Sequence, residues 1–246
     1  MSTGIWAAAS GMVGQTAALD VAAGNVANAS TPGFRADRAI FRQTLAQATN
    51  RAVPTQSLRY SVARTVEPDR RAGQTVQTGR PLDLALRQND TWFVVRTPEG
   101  ERYTRAGNFL VSPDGRLTTQ NGHLVLGAGR QPLNVPSGTR EVSIDPTGSL
   151  VADGIDSGSK LLVVSFAKPT GLVKEGSVLL RATPAAGRPV ERDPDIASGC
   201  LELSNASALE GMTTLVTATR EFEMLSRVVE AFSSAEQRAA SIAGPR

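Results

Sequence analysis

Two stretches with the spacing of a helix seam sit at opposite ends of this 246-residue chain, and the residues between them lack that period. Near the start, Ile5, Ala9, Met12, Thr16, Leu19, Ala23 and Val26 recur at intervals alternating four and three, the seam of helices that pack side by side. Pro32 and Gly33 end that run, because proline cannot continue the hydrogen-bond ladder and glycine tolerates a left-handed turn. Near the end, Ser207-Ala208-Leu209-Glu210 reads as a capping box. It opens a second seam of Met212, Leu215, Thr219, Phe222, Ser226, Val229 and Ser233, widened by Val216, Leu225, Val228 and Phe232. No glycine or proline interrupts residues 212–243, which predicts a helix of roughly 45 Å. Alanine, threonine and serine hold several seam positions, so each helix needs a partner to be stable.

The middle of the chain reads as antiparallel β structure. Short alternating or apolar runs fall at 92–96, 102–105, 109–112, 117–119, 123–126, 142–145, 150–153 and 161–165. One turn recurs between them as Thr97-Pro98-Glu99-Gly100, Ser112-Pro113-Asp114-Gly115 and Asp145-Pro146-Thr147-Gly148. Proline presets φ at the first central position and glycine accepts positive φ at the last, as in a type I turn with a bulge. The expected fold is a mainly β central domain, an antiparallel sheet or small barrel, with long N- and C-terminal α-helices pairing as a coiled coil. Its parts are an N-terminal helix over 1–34, an extended basic connector over 35–80 that can carry local strands, a β-rich domain over 81–185, a return linker over 186–200 and a C-terminal helix over 201–246.

Chemistry is restricted by scarcity. His123 and Cys200 are single, so a Cys/His metal centre lacks ligands and a disulfide within the chain lacks a second thiol. His123 follows the Asn121-Gly122 turn with no nucleophile motif beside it. Phosphate-cradling glycine loops are missing, and the carboxylates are scattered. These features predict no catalytic residue, metal or cofactor. Aromatic residues make up 4% of the chain, which argues against a base-stacking surface and a nucleic-acid partner. No run approaches the ~20 apolar residues of a membrane span. The N-terminus carries no Lys or Arg before Arg35, unlike a secretory signal, so the expectation is a cytosolic protein or one exported without cleavage. Charge is split: residues 34–71 hold eight arginines against three acids, while 193–246 hold eight acids against four arginines. Opposite signs on separate segments suit contacts between subunits.

The first helical run ends in Asn25-Val26-Ala27-Asn28-Ala29-Ser30-Thr31-Pro32-Gly33-Phe34-Arg35, which resembles the N-I-A-N-x-x-T-x-G-[FY]-[KR] signature of the flagellar basal-body rod and hook family. Leu201-Glu202-Leu203-Ser204-Asn205, with Met212, Leu215, Arg220 and Phe222-Glu223, resembles that family's C-terminal signature. Gln77–Leu86 and Tyr103–Phe109 are similar to its central domain, although Gln88-Asn89-Asp90-Thr91 stands where the family has a glycine-rich strand entrance. The resemblance is greatest to proximal-rod members, with a distal-rod subunit or a soluble β-domain binding module as alternatives. It implies a structural subunit that polymerises through its terminal helices into a torque-transmitting axial shaft. Its partners would be homologous rod subunits and the flagellar export apparatus, its place the basal body in the periplasmic space. It also implies an assembly turn at Asn25, Asn28, Thr31, Gly33, Phe34 and Arg35, and a C-terminal seam at Leu201, Ser204, Asn205, Met212, Leu215, Phe222 and Val229.

Overall fold

The computed structural model describes residues 3–46 and 58–242; Arg51 and Arg246, counted in the charge runs above, lie outside them. The chain divides into two compact units. One comprises residues 1–27, 37–69 and 207–246, and the other residues 28–36 and 70–206.

In the helical unit, α1 (Thr3–Ala27) and α2 (Ala208–Ile242) pair antiparallel. Three contacts set the register. Gly211 leaves room for Val26, Gln15 Nε2 donates to Glu221 Oε2 at 2.6 Å, and Gly11 admits Leu225. The Ser207 half of the expected capping box forms, with the Glu210 amide donating to Ser207 Oγ at 3.3 Å. Strands β1 (Asp37–Ala46) and β2 (Leu58–Pro68), inside the stretch read as a connector, form a long antiparallel hairpin with one bulge at Ile40/Phe41. The hairpin packs along α1.

The β unit begins with β3 (Thr75–Gln77) and β4 (Leu84–Leu86). The strands β5 (Thr91–Thr97), β6 (Gly100–Thr104), β7 (Leu110–Val111), β8 (Leu117–Thr118) and β9 (Leu124–Val125) follow. Strands β10 (Val142–Ile144), β11 (Ser149–Ala152) and β12 (Ile155–Lys160) make a separate three-stranded sheet. Then come β13 (Val163–Ser165), β14 (Leu172–Glu175), β15 (Leu179–Ala182), β16 (Val190–Arg192), β17 (Ile196–Ser198) and β18 (Cys200–Glu202). The principal sheet runs β14-β15-β6-β5-β9-β8-β7, with β13 joined to β5 and β16 joined to β13. This sheet is open, so the small-barrel alternative is corrected: β14 and β7 end the path without pairing to each other.

Strand β5 explains where the core sits. Phe93 and Val95 face one apolar cluster with Phe109, Leu117 and Ile196, while Trp92 and Val94 face a second with Tyr103, Leu162 and Phe166. A strand buried on both faces reads as a continuous apolar run instead of an alternation, and Trp92–Val95 is such a run. The three proline-glycine turns form where the sequence places them, with Gly100, Gly115 and Gly148 all at positive φ. The 186–200 segment, read as a return linker, contains β16, β17 and most of the approach to β18, paired with β13, β4 and β3 respectively.

Candidate functional site

The turn and seam residues singled out in the sequence fall into both units. In the helical unit, Asn25 near the end of α1 uses its side-chain amide as a strand would use its backbone. Its Nδ2 donates to the Asp37 carbonyl at 2.9 Å and its Oδ1 accepts from the Asp37 amide at 2.8 Å. This fixes the first residue of β1 against the helix. On α2, the face turned to α1 runs through Gly211, Leu215, Ala218, Phe222, Leu225 and Val229, all buried or half-buried. Met212 and Thr219 lie off that face and are exposed.

In the β unit, Asn28 opens a tight turn after α1. Its carbonyl accepts from the Thr31 amide at 3.1 Å and its Oδ1 from Thr31 Oγ1 at 3.2 Å. Gly33 then adopts φ +72° with its amide donating to the Glu202 carbonyl at 2.8 Å. A Cβ there would lie 2.5 Å from the Ala106 Cα and closer still to its amide nitrogen, so both the dihedral and the neighbouring backbone require glycine. Phe34 is buried, with Lys174 Nζ 3.7 Å above its ring while the same ammonium donates to the Arg35 carbonyl at 2.9 Å.

Arg35 leads into the centre of the arrangement, a carboxylate held between two guanidiniums. Glu202 Oε1 meets Arg35 Nη2 at 2.6 Å, and Glu202 Oε2 meets Arg105 Nη2 at 2.6 Å and Nε at 2.8 Å. The Gly73 amide also donates to Glu202 Oε1, at 3.3 Å. The Glu202 and Arg105 side chains are 3% and 2% exposed, so water does not supply partners and the remaining N–H groups must find protein ones. They do. Arg35 Nη1 donates to the carbonyls of Arg70 and Arg71, and Arg105 donates to those of Leu86, Gln88 and Thr91. Arg105 thereby holds the Gln88–Thr91 turn at the entrance to β5. Asn205 closes the same cluster: its Oδ1 accepts from the Ala36 amide at 2.6 Å and its Nδ2 donates to the Arg71 carbonyl at 2.8 Å. Ser204 Oγ accepts from the Ala206 amide at 3.0 Å, and Leu201 is buried in β18 beside Val76.

Three stretches distant in sequence (33–36, 70–74 and 201–205) are thus tied together by charge-assisted hydrogen bonds. Of the expected residues, Gly33, Phe34, Arg35, Leu201 and Asn205 meet here. Asn25, Met212, Leu215, Phe222 and Val229 belong to the helical unit. Sequence reading assigned no role to Glu202, Arg105, Gly73 or Lys174. The available signal was the placement of Glu202 and Arg105 inside the quoted motifs.

Such a cluster organises backbone. His123 lies instead on the rim of a cleft of about 270 Å³ lined mainly by hydroxyl and amide side chains, including Ser30, Thr31, Asn108, Thr119 and Gln120. Cys200 is half-buried with its thiol free. Among the described residues, no group of three or more His, Cys, Asp or Glu side chains is placed to hold a metal, and no helix is long and apolar enough to cross a membrane.

Comparison with known proteins covers the same regions. Residues 5–35 match the family described as "Flagella basal body rod protein". Residues 88–152 match "Flagellar hook protein FlgE/F/G D1 domain", and residues 197–242 match "Flagellar basal body rod FlgEFG protein C-terminal". The flagellar basal-body rod protein FlgF of Salmonella typhimurium is 39% identical over 239 residues, covering 89% of each chain. FlgF of Escherichia coli K12 is 37% identical over 89% of each chain. The rod protein FlgG of Agrobacterium fabrum is 32% identical over 90% of this chain and 92% of its own.

Proposed function

Because the chain belongs to the flagellar basal-body rod protein family, a family of structural proteins and not of enzymes, we propose that it is an FlgF-like subunit of the proximal rod. The observation that supports the proximal assignment is that FlgF relatives reach 39% and 37% identity while FlgG relatives reach 32%, a level that one FlgF relative shares. The shared 32% keeps the distal-rod reading as the second one. In this reading the subunit is exported through the flagellar apparatus, assembles with homologous rod subunits in the basal body within the periplasmic space, and transmits torque as part of the axial shaft. Residues 1–34 and 201–246 act as the inner, polymerising segments, completed as a coiled coil by neighbouring subunits, and 81–185 as the outer domain.

The turn motif has a physical task in that scheme. Asn28, Thr31 and Gly33 order the turn that follows residue 27, Arg35 is held on the Glu202 carboxylate, and Asn205 ties the Ala36 amide to the Arg71 carbonyl. A buried ion cluster of this kind adds little net stability, but it penalises every alternative pairing of the three segments, and a polymer repeating one subunit geometry needs that uniqueness. The test is deletion of the gene with complementation by a tagged copy. Loss of filaments, restored swimming, and the tagged chain in purified basal bodies are the expected results. Normal motility of the deletion strain and absence of the chain from basal bodies would overturn the proposal.

A further inference from the structure

The cleft beside His123 lies within the β unit and takes no part in the ion cluster. Turns at 30–32, 119–123 and 177–178 wall it, and Thr104, Ala106 and Asn108 complete it. Among the lining residues there is no Asp, Glu, Lys, Arg, Phe, Tyr or Trp. A charged ligand would therefore leave water without a counter-ion, and a sugar ring would find no flat apolar face to stack on. At about 270 Å³ the space is also smaller than the ~300–1,000 Å³ of sites that enclose a drug-sized molecule. What the cleft does supply is side-chain amides. Those of Asn108, Gln120 and Asn121 make no hydrogen bond to the chain among the described residues.

Two other asparagines show what such a group does in this protein when it has a partner. Asn25 grips the carbonyl and amide of Asp37, and Asn205 grips the Arg71 carbonyl and the Ala36 amide. An amide side chain matches a peptide group donor for acceptor, so three unengaged ones around one cleft suit an extended backbone. Pro32, Val178 and Leu179 add apolar surface for a small side chain. A second observation sets the charge this site tolerates. Asp83 lies opposite Asn108 in an isolated antiparallel bridge, so the two side chains share a face. Asp83 is 1% exposed, its Oδ1 has no hydrogen-bond partner among the described residues, and its Oδ2 lies 3.9 Å from Arg80 Nε. A buried carboxylate with so little compensation puts negative potential behind Asn108, which favours N–H donors and repels other carboxylates. We infer that the cleft is a recognition site for an extended, uncharged stretch of another polypeptide. Asn108, Gln120 and Asn121 grip its backbone, and Asp83 selects against acidic side chains.

The test uses the full chain and its single histidine, whose imidazole C–H signals in a proton NMR spectrum report on the cleft without overlap from a second one. Three probes are titrated at one fixed pH to about 10 mM: the capped peptide acetyl-Ala-Asn-Ser-Thr-Gly-amide, its acidic counterpart acetyl-Ala-Asp-Ser-Glu-Gly-amide, and N,N′-diacetylchitobiose. The neutral peptide should move the His123 signals saturably, the acidic one should bind about tenfold more weakly or worse, and the sugar should leave them in place. No saturable movement with the neutral peptide overturns the inference, and so does equal binding of the acidic peptide or of the sugar. Asn108→Ala and Gln120→Ala should each weaken the neutral peptide by about threefold or more. Gln120 is exposed, so its truncation leaves the fold intact, and unchanged binding by that variant overturns the grip. Asp83→Asn, with its fold verified by circular dichroism, should bring the acidic peptide to within about threefold of the neutral one. Discrimination retained in that variant overturns the part given to Asp83.

Discussion

Four glycine-to-alanine variants separate the two reasons for glycine at the turn and show how much Gly33 contributes. Gly33 combines φ +72° with a Cβ position 2.5 Å from the Ala106 Cα. Gly79 has φ +74° and nothing within 4 Å, so it isolates the dihedral. Gly107 has no positive φ, but its Cβ would lie 1.8 Å from the Leu84 carbonyl oxygen and 2.7 Å from its carbon, so it isolates the collision. Gly24 has neither, being helical with open space around it. A left-handed dihedral costs an L-residue about 1–2 kcal/mol, and overpacking against a neighbour costs about 1–3 kcal/mol. Gly79→Ala should therefore lose about 1–2 kcal/mol, Gly107→Ala about 1–3 kcal/mol, and Gly33→Ala the combination, about 2–5 kcal/mol. Gly24→Ala should gain about 0.5–1 kcal/mol from helix propensity. The obstacle at Gly33 is backbone beside Arg105, whose guanidinium is anchored to Glu202, so the neighbour has little freedom to withdraw. Urea denaturation of the purified chain reads the energies, and swimming on soft agar reads the function. Gly33→Ala as stable as the parent chain, or no less stable than Gly79→Ala, would refute the argument that the Ala106 backbone excludes a side chain.

Replacing Glu202 by Gln leaves Arg35 and Arg105 buried without their anion and should cost about 3–5 kcal/mol by urea denaturation; a loss below 1 kcal/mol would mean that the cluster tolerates an uncompensated charge. Phe222→Ala removes a half-buried ring from the α1–α2 interface and should destabilise the helical unit by about 1–3 kcal/mol, while Glu230→Ala, at an exposed position, should stay within about 0.5 kcal/mol, both read from the loss of helical ellipticity on heating. Burial pushes the Asp145 carboxyl up, but hydrogen bonds from Thr147, Ser149 and Gly148 outweigh it and leave the group below the usual aspartate range. The stabilisation is therefore present above the unfolded pKa, near pH 4, and is lost as pH falls through the lower folded value; Asp145→Ala should show a shallower loss of stability below about pH 4 in acid titration followed by circular dichroism.

The helices and turns were legible because their signals are local. Alternating spacings mark α1 and α2, Ser207 caps where its hydroxyl predicts, and three proline-glycine turns form in place. The sheet was legible as strands but not as an open order, because the edges depend on pairings such as β15 with β6 that join residues far apart in sequence. Strands β3, β4, β16, β17 and β18 have three residues each, too few to show a period, and they exist through partners elsewhere in the chain. The same reason hid the ion cluster. Arg35, Arg105 and Glu202 each look like surface charges in sequence, and only the tertiary approach of 33–36 and 70–74 to 201–205 makes them one site. The role of Gly211 facing α1 within the chain was not legible, because close approach of Val26 needs a residue without a side chain and a hydrophobic pattern gives glycine no weight.

The most direct test of the account is a cryo-electron-microscopy reconstruction of the rod in basal bodies isolated from cells expressing this chain with a density tag in the Asp153-Gly154 turn. The account predicts density for the chain in the proximal rod, with residues 3–27 and 208–242 lining the inner tube and the tag on the outer surface. Intact rods that contain no density for the chain, or a tag facing the axis with the terminal helices outside, would contradict it.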